Sequence, residues 1–302
     1  RAEKAVLYMA QAGEKSLRVY SLDEAELRLR QVVELIEKVP GCADDVFLTD
    51  VLLNLGRVQY FRADMYGLIE LLEPHLQKVE ALGDPKRFSR FLFEIGYAHV
   101  FSANPETGIP MLEQAQSIAE ENDDEHTIGL VKMGLSWGYS TWRQNNADAR
   151  RKIDALCEEA ERIGRKFDDM WLVSKAIVSR SVLHSIGGNV GESNRHALRL
   201  LELSRKTGDP RAKSMGLWAM AIFDSINFSH EAGIEAGSDG AQLALCVVDH
   251  TISELGKSVG LIMSGNVDEG LPLAEASFSL LYQRGLMLPI ATTGPFIGVG
   301  LV

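Results

Sequence analysis

"GNVDEGLPLA", residues 265–274, has nearly the same shape as "GNVGESNRHA", residues 188–197, which lies 77 residues earlier. In both, Gly-Asn leads into Val, then Glu two positions on, then a small residue four positions after the Asn: Ser193 in one copy, Gly270 in the other. An interval of 77 is close to twice a forty-residue helical hairpin, so the recurrence predicts a stack of repeated helix pairs.

Acidic punctuation extends the pattern over the whole chain. Asp44, Asp84, Asp124, Asp168, Asp209 and Asp249 recur at intervals of 40, 40, 44, 41 and 40 residues. Each precedes an amphipathic run such as "VFLTDVLLNLGRVQYF" (46–61) or "RFSRFLFEIGYAHVF" (87–101), with apolar residues at i, i+3, i+4 and i+7. An Asp at that place accepts the unpaired N–H groups of a first helical turn and faces the positive end of the helix dipole. These six are therefore read as structural helix caps. The pairs Asp44–Asp45, Asp123–Asp124 and Asp168–Asp169 are read the same way, since forty residues of stacking separate carboxylates that a metal or acid/base site would need together.

Halfway through each period comes a second turn: "SLDEA" at 21, "ADMYG" at 63, "ANPETG" at 103, "NNADA" at 145, and the two Gly-Asn turns. Each unit is thus helix A, tight turn, helix B. Gly13 and Ala25, Gly96 and Gly108, and Ser181 and Ser193 are each twelve apart across such a turn, with Gly56 and Gly270 as further small positions. Little side-chain volume at both points lets two antiparallel helices approach closely. With Ala115 seven residues after Gly108, this is the core of the tetratricopeptide (TPR) pattern, although the units run near forty residues rather than thirty-four. The expected fold is all-α: one array over 1–302 of about seven stacked antiparallel hairpins in a right-handed α-solenoid, cut short at both ends, where Arg1 opens the chain and "GPFIGVGLV" closes it.

Of the 302 residues, 46% are hydrophobic and 24% charged, so the chain is expected to fold around a sizeable core. A net charge of −11 without any basic tract argues against nucleic acid as a partner. No signal segment or run of eighteen apolar residues occurs, and Cys42, Cys157 and Cys246 are scattered and odd in number, which reads as a reduced, cytoplasmic protein without membrane insertion.

Catalytic, cofactor and metal constellations are not found. Seven histidines form no H-x-x-x-H or H-E-x-x-H, no Ser sits in G-x-S-x-G, and no phosphate-cradling G-x-x-x-x-G-K-[ST] is present. A self-contained enzyme would need converging polar groups away from the structural repeat positions. Aromatic residues, in contrast, concentrate on the A helices, which line the concave side of such an array. Tyr97, His99, Tyr139 and Trp142 are the candidate partner-binding residues, and an acidic chain points to a basic or amphipathic protein segment as ligand.

The stretches "YMAQAGEKSLRVYSLDEAELRLRQVVELIEKVP" (8–40), "GDPRAKSMGLWAMA" (208–221) and "SGNVDEGLPLAEASF" (264–278) resemble the C-terminal TPR-like region of bacterial multidomain class III adenylate/guanylate cyclases. In that family a cyclase domain and an ATPase module precede the repeats. Related arrays follow the ATPase module of large transcriptional regulators, which is the alternative parent. The resemblance implies a non-enzymatic regulatory module whose partner is a protein segment or the upstream domains of its own chain. No catalytic residue carries over: "FLTDVLLNLG" (47–56) is similar in outline to a cyclase metal-binding segment, but its Asp50 falls inside a repeat helix.

Overall fold

Two kinds of turn alternate along the chain, and most of those described hold a backbone residue in the left-handed region. In the computed structural model, which describes residues 1–143 and 146–300, the A-to-B turns place Tyr20, Ala63, Ala103, Gly188, Phe228 and Gly265 at positive φ. The glycine of the recurring "GNV" is therefore the residue that reverses the chain, and the Val two positions on opens helix B. Asn145, Leu301 and Val302 lie outside the described residues.

Sixteen α-helices and no strand occur among the described residues. The first three hairpins are α1 (Ala2–Arg18) with α2 (Leu22–Lys38), α3 (Asp45–Phe61) with α4 (Met65–Leu72) and α5 (Leu76–Ala81), and α6 (Pro85–Phe101) with α7 (Pro105–Glu121). Then come α8 (Glu125–Trp142) with α9 (Ala147–Lys166), α10 (Met170–Ile186) with α11 (Val190–Thr207), α12 (Pro210–Ile226) with α13 (His230–Leu243), and α14 (Val247–Met263) with α15 (Val267–Gln283). A single helix, α16 (Met287–Gly300), follows. Helix B of the second unit is broken where Pro74, which has no N–H to donate, lies in a 3-10 turn spanning Glu73–His75. No helix is long and apolar enough to cross a membrane among the described residues.

Most of the acidic punctuation sits at helix starts. Asp44 accepts from the Phe47 N–H at 2.7 Å, Asp84 from those of Lys86 and Arg87 at 3.1 Å, Asp124 from Thr127 at 3.3 Å, and Asp209 from Arg211 and Ala212 at 2.8 Å. Two positions require correction. Asp168 has φ +54° and ends the preceding turn, while its neighbour Asp169 caps α10 through the Leu172 N–H at 3.0 Å. Asp249 is no cap: α14 begins at Val247 behind Cys246, and the Asp249 carboxylate points inward to Arg211 at 3.0 Å. A buried guanidinium outweighs an orphan N–H as the place for that charge.

The small-residue pairs occupy the closest helix approaches. A Cβ on Gly108 would fall 2.6 Å from the Gly96 carbonyl oxygen and 2.8 Å from the Val100 nitrogen, both backbone atoms with no freedom to move aside. Ser181 and Ser193 meet at the same register, each hydroxyl donating to the other's carbonyl at 2.7 and 2.9 Å. Cβ atoms on Gly13, Gly56 and Gly270 would meet side chains of Leu29, Leu72 and Ile262 at 2.7, 3.2 and 2.7 Å, and Ala25 is fully buried beside Gly13. One further pair with the twelve-residue spacing, Ala221 with Gly233, lies in the unit whose sequence is least repeat-like: a Cβ on Gly233 would be 3.0 Å from the Ala221 carbonyl.

The second and seventh hairpins meet. The first two N–H groups of α4, at Met65 and Tyr66, point to the Arg284 carbonyl at 2.8 and 3.4 Å, and Arg284 Nη1 donates back to the Arg62 carbonyl at 2.8 Å. Gly285, at φ +72°, lies so close under Tyr66 that a Cβ would be 2.7 Å from its ring. The turn after α3 and the turn after α15 are thereby clasped, and orphan donors of α4 are satisfied by a residue from the far end of the chain.

Candidate functional site

Because the array curves until its second and seventh hairpins touch, the inner faces of the A helices converge on one interior. Part of that interior is filled. Tyr60 from α3 packs edge-on to Trp171 from α10 at 5.8 Å, Arg57 lies 4.2 Å over Trp171, and Arg211 from α12 lies 4.4 Å over Phe61. The charges there are matched: Arg57 pairs with Glu94 at 3.0 Å, and Arg211, 2% exposed, pairs with Asp249, 1% exposed.

The other part is a cavity of about 450 Å³ between α8, α10, α12, α14 and α16, reached also by Phe101 of α6. Helical periodicity puts one face of each helix into it: Trp137 and Thr141 of α8, Lys175, Val182 and Ile186 of α10, Trp218, Ile222 and Ile226 of α12, and Leu288, Thr292 and Phe296 of α16. Its walls are mostly apolar, with a few polar groups, as in sites for small ligands.

Lys175 is the feature that sets the electrostatics. It is 4% exposed, and its ammonium stands 5.0 Å from the Trp137 ring, 5.3 Å from Phe101 and 5.7 Å from Tyr60. Ring faces attract a cation. No carboxylate pairs with it among the described residues, and the Tyr60 hydroxyl is a polar group beside it. The indole N–H groups of Trp137 and Trp218 and the Thr141 hydroxyl are buried without a hydrogen-bond partner there. Burial alone would raise the Tyr60 hydroxyl, but the Lys175 and Arg211 cations bring it below the ordinary phenol range. The interior of this acidic protein is locally positive.

The four sequence candidates are not brought together. Tyr97, 1% exposed, is core, tilted against Phe101 at 4.6 Å and stacked on Phe93 at 5.5 Å. His99 is buried at the α6–α7 turn, its Nε2 2.8 Å from Glu73 and its Nδ1 3.3 Å from the Asn104 amide. Tyr139 faces a different cavity, between α8 and α9, where it donates to Glu113 at 2.7 Å; burial and that carboxylate push its hydroxyl up to about 12. Only Trp142 lines the inner cavity, and its indole donates to the Val100 carbonyl at 3.0 Å. On α6, Tyr97 and His99 are two residues apart and so about 200° apart around the helix, which sends one into the core and the other to the turn. Lys175 was missed, although a lone charge within "MWLVSKAIVS" (170–179) is the signal that marks it.

One metal-like group occurs among the described residues. The ligand atoms of His184, Glu192 and His196 lie within 4.8 Å of one another, with the two rings stacked at 5.4 Å. Arg195 already pairs with Glu192, and Arg199 Nη1 faces His196 Nδ1 at 3.3 Å. Burial and the nearby Arg180, Arg199 and Arg195 hold His196 down to about 3, a field that opposes a divalent cation. The three cysteines are buried and free, and burial raises Cys157 to about 11 and Cys246 to about 12, far from a reactive thiolate.

No protein-family model and no curated protein matches this chain. Solved structures do share its architecture. A Rap protein complexed with Competence and Sporulation Factor is similar over 94% of this chain and 88% of that one, with a TM-score of 0.63 at 13% identity. NprR in complex with its cognate peptide NprX is similar over 94% and 82%, with a TM-score of 0.58 at 13% identity. A signal transduction ATPase with numerous domains and a tetratricopeptide repeat sensor, from Pyrococcus horikoshii, is similar over 92% of this chain and 39% of that one, with a TM-score of 0.50 at 16% identity. At such identities the likeness shows the fold, and the fold is that of TPR-like helical repeat proteins.

Proposed function

We propose that this array is a non-enzymatic regulatory module that binds a protein or peptide segment on the inner face of its A helices. The observation that carries the reading is the interior cavity with its unmatched Lys175, set where the rest of the inner face is packed and charge-paired. Support comes from the solved neighbours, one of which holds its cognate peptide and another Competence and Sporulation Factor. The lining also contains no nucleophile–base pair of the kind that acyl or phosphoryl transfer requires.

The parent is a multidomain signalling protein in this reading, and the segment comes from a partner or from the parent's upstream domains. A nucleotide-cyclase parent rests on the sequence resemblance alone. An ATPase-containing regulator is the second reading, favoured by the likeness to the ATPase with a repeat sensor. The local field changes the expected ligand: although the net charge of −11 favours a basic partner at long range, the cations inside favour an acceptor-rich or anionic group at the point of contact.

Hydrogen exchange of the chain with and without the parent's upstream domains, or with a bound peptide, tests the reading. Protection is expected on α8, α10, α12 and α16. A footprint confined to the outer B helices, or turnover of ATP or GTP by the purified chain above a buffer control, would show it to be wrong.

A further inference from the structure

We infer that the inner cavity is a seat for the C-terminal end of a short apolar peptide, whose carboxylate pairs with Lys175 while its last backbone carbonyls accept from Trp137, Thr141 and Trp218. The inference rests on the peptide-binding reading above and names the end of the ligand that enters. Three observations carry it.

First, no carboxylate answers the charge of Lys175 among the described residues, whereas carboxylates answer the charges of its neighbours. Arg211, equally buried on the next inner helix, has Asp249 at 3.0 Å, and Arg57 has Glu94 at 3.0 Å. A buried ammonium is stabilised by an anion more than by aromatic faces, so the complementary ligand carries negative charge. Second, the donors of the lining are spread over three helices: Trp137 and Thr141 on α8 and Trp218 on α12, each without a partner among the described residues, and Lys175 on α10. A fatty acid brings its two acceptor atoms to one point. A peptide end brings a carboxylate together with carbonyls displaced along its backbone, which matches distributed donors. Third, a cavity of about 450 Å³ with apolar walls is of small-ligand size, so a chain enters by its tip rather than by a long central run. Of the two tips of a peptide, the ammonium end is repelled by Lys175.

The test titrates the purified chain and follows its intrinsic tryptophan fluorescence, because Trp137, Trp142 and Trp218 all line the cavity. The probes are a pool of N-acetylated pentapeptides with three apolar C-terminal residues, each as free acid and as C-terminal amide, and decanoate. At least one free acid is expected to bind, with its amide weaker by about tenfold or more. Lys175→Met is expected to abolish the acid preference while keeping helicity and melting temperature, and Lys175→Arg to retain part of it. Equal binding of acid and amide, or a preference that survives Lys175→Met, would overturn the carboxylate seat and leave the inner-face reading standing. Decanoate binding in the absence of any peptide binding would reassign the cavity to a lipid-like acid. If no probe binds up to about 1 mM, the seat is wrong, and the exchange footprint decides separately whether a longer segment uses the inner face.

Discussion

Arg211 and Lys175 are buried cations on neighbouring inner helices, 2% and 4% exposed, yet they belong to different kinds of place. Around Arg211 the interior is closed: Asp249 answers its charge and Phe61 covers its face. Around Lys175 the rings are present but the anion is not, and a cavity opens beside it. Both cations stand on A helices of successive hairpins, α10 and α12, among aromatic rings. One inner face can thus serve as core or as binding surface, and what separates the two is whether polar groups find their partners within the chain.

Substitution of the two cations is expected to give the largest contrast. Arg211→Met strands the Asp249 carboxylate and is expected to cost about 3 to 5 kcal/mol, whereas Lys175→Met removes a charge that no acid answers and is expected to leave stability unchanged or raised. Urea unfolding of both variants checks this. A loss at Lys175 as large as that at Arg211 would erase the distinction.

Within the closed region, where backbone meets backbone, Gly108→Leu is expected to cost about 3 kcal/mol through overpacking against Gly96 and Val100. Gly191→Ala, where an added Cβ meets nothing within 4 Å, is the control and is expected to be neutral or slightly stabilising by melting temperature.

Acid offers a third separation. His196 is held down to about 3 in the folded chain, against an ordinary 6.5. Its folded value is depressed, so below 6.5 the unfolded chain takes up a proton that the folded chain refuses, and stability is lost progressively as pH falls toward 3. The slope from this one group is at most about 1.4 kcal/mol per pH unit. His196→Gln is expected to flatten the stability profile between those limits; an unchanged profile would remove His196 as the cause.

The smallest expected effects concern the turns. Asp169→Ala is expected to cost about 1 kcal/mol as the loss of a cap. Phe228, 79% exposed at φ +67°, occupies the place that Gly188 and Gly265 hold in other units. Phe228→Gly is therefore expected to raise stability by about 0.5 to 1 kcal/mol, and a fall in melting temperature would mean that its ring contact with His230 matters more than the backbone strain.

The repeat was legible because caps and turns are local chemistry. Asp44, Asp84, Asp124 and Asp209 each need only the next two or three N–H groups, which the sequence places beside them. Asp168 and Asp249 failed that reading because competing demands act on them, a left-handed turn in one and a guanidinium 38 residues away in the other. The site was less legible. Which face of α10 meets α8, α12 and α16 depends on curvature summed over hairpins, so Lys175 stood out in the sequence as an isolated charge but its surroundings did not.

An open solenoid tolerates small variations at each junction, because each hairpin touches only its neighbours. The clasp of Arg284 on Arg62 and Met65 removes that tolerance. Rotations at the intervening junctions add up, so a change of about one degree at each of five junctions arrives as about five degrees at the clasp. Two hydrogen bonds of ordinary length can form only if the sum comes out right. The closed ring therefore ties the shapes of the second to seventh hairpins to one another, and a distortion at any of their junctions is registered at the seam where Arg284 meets Arg62 and Met65.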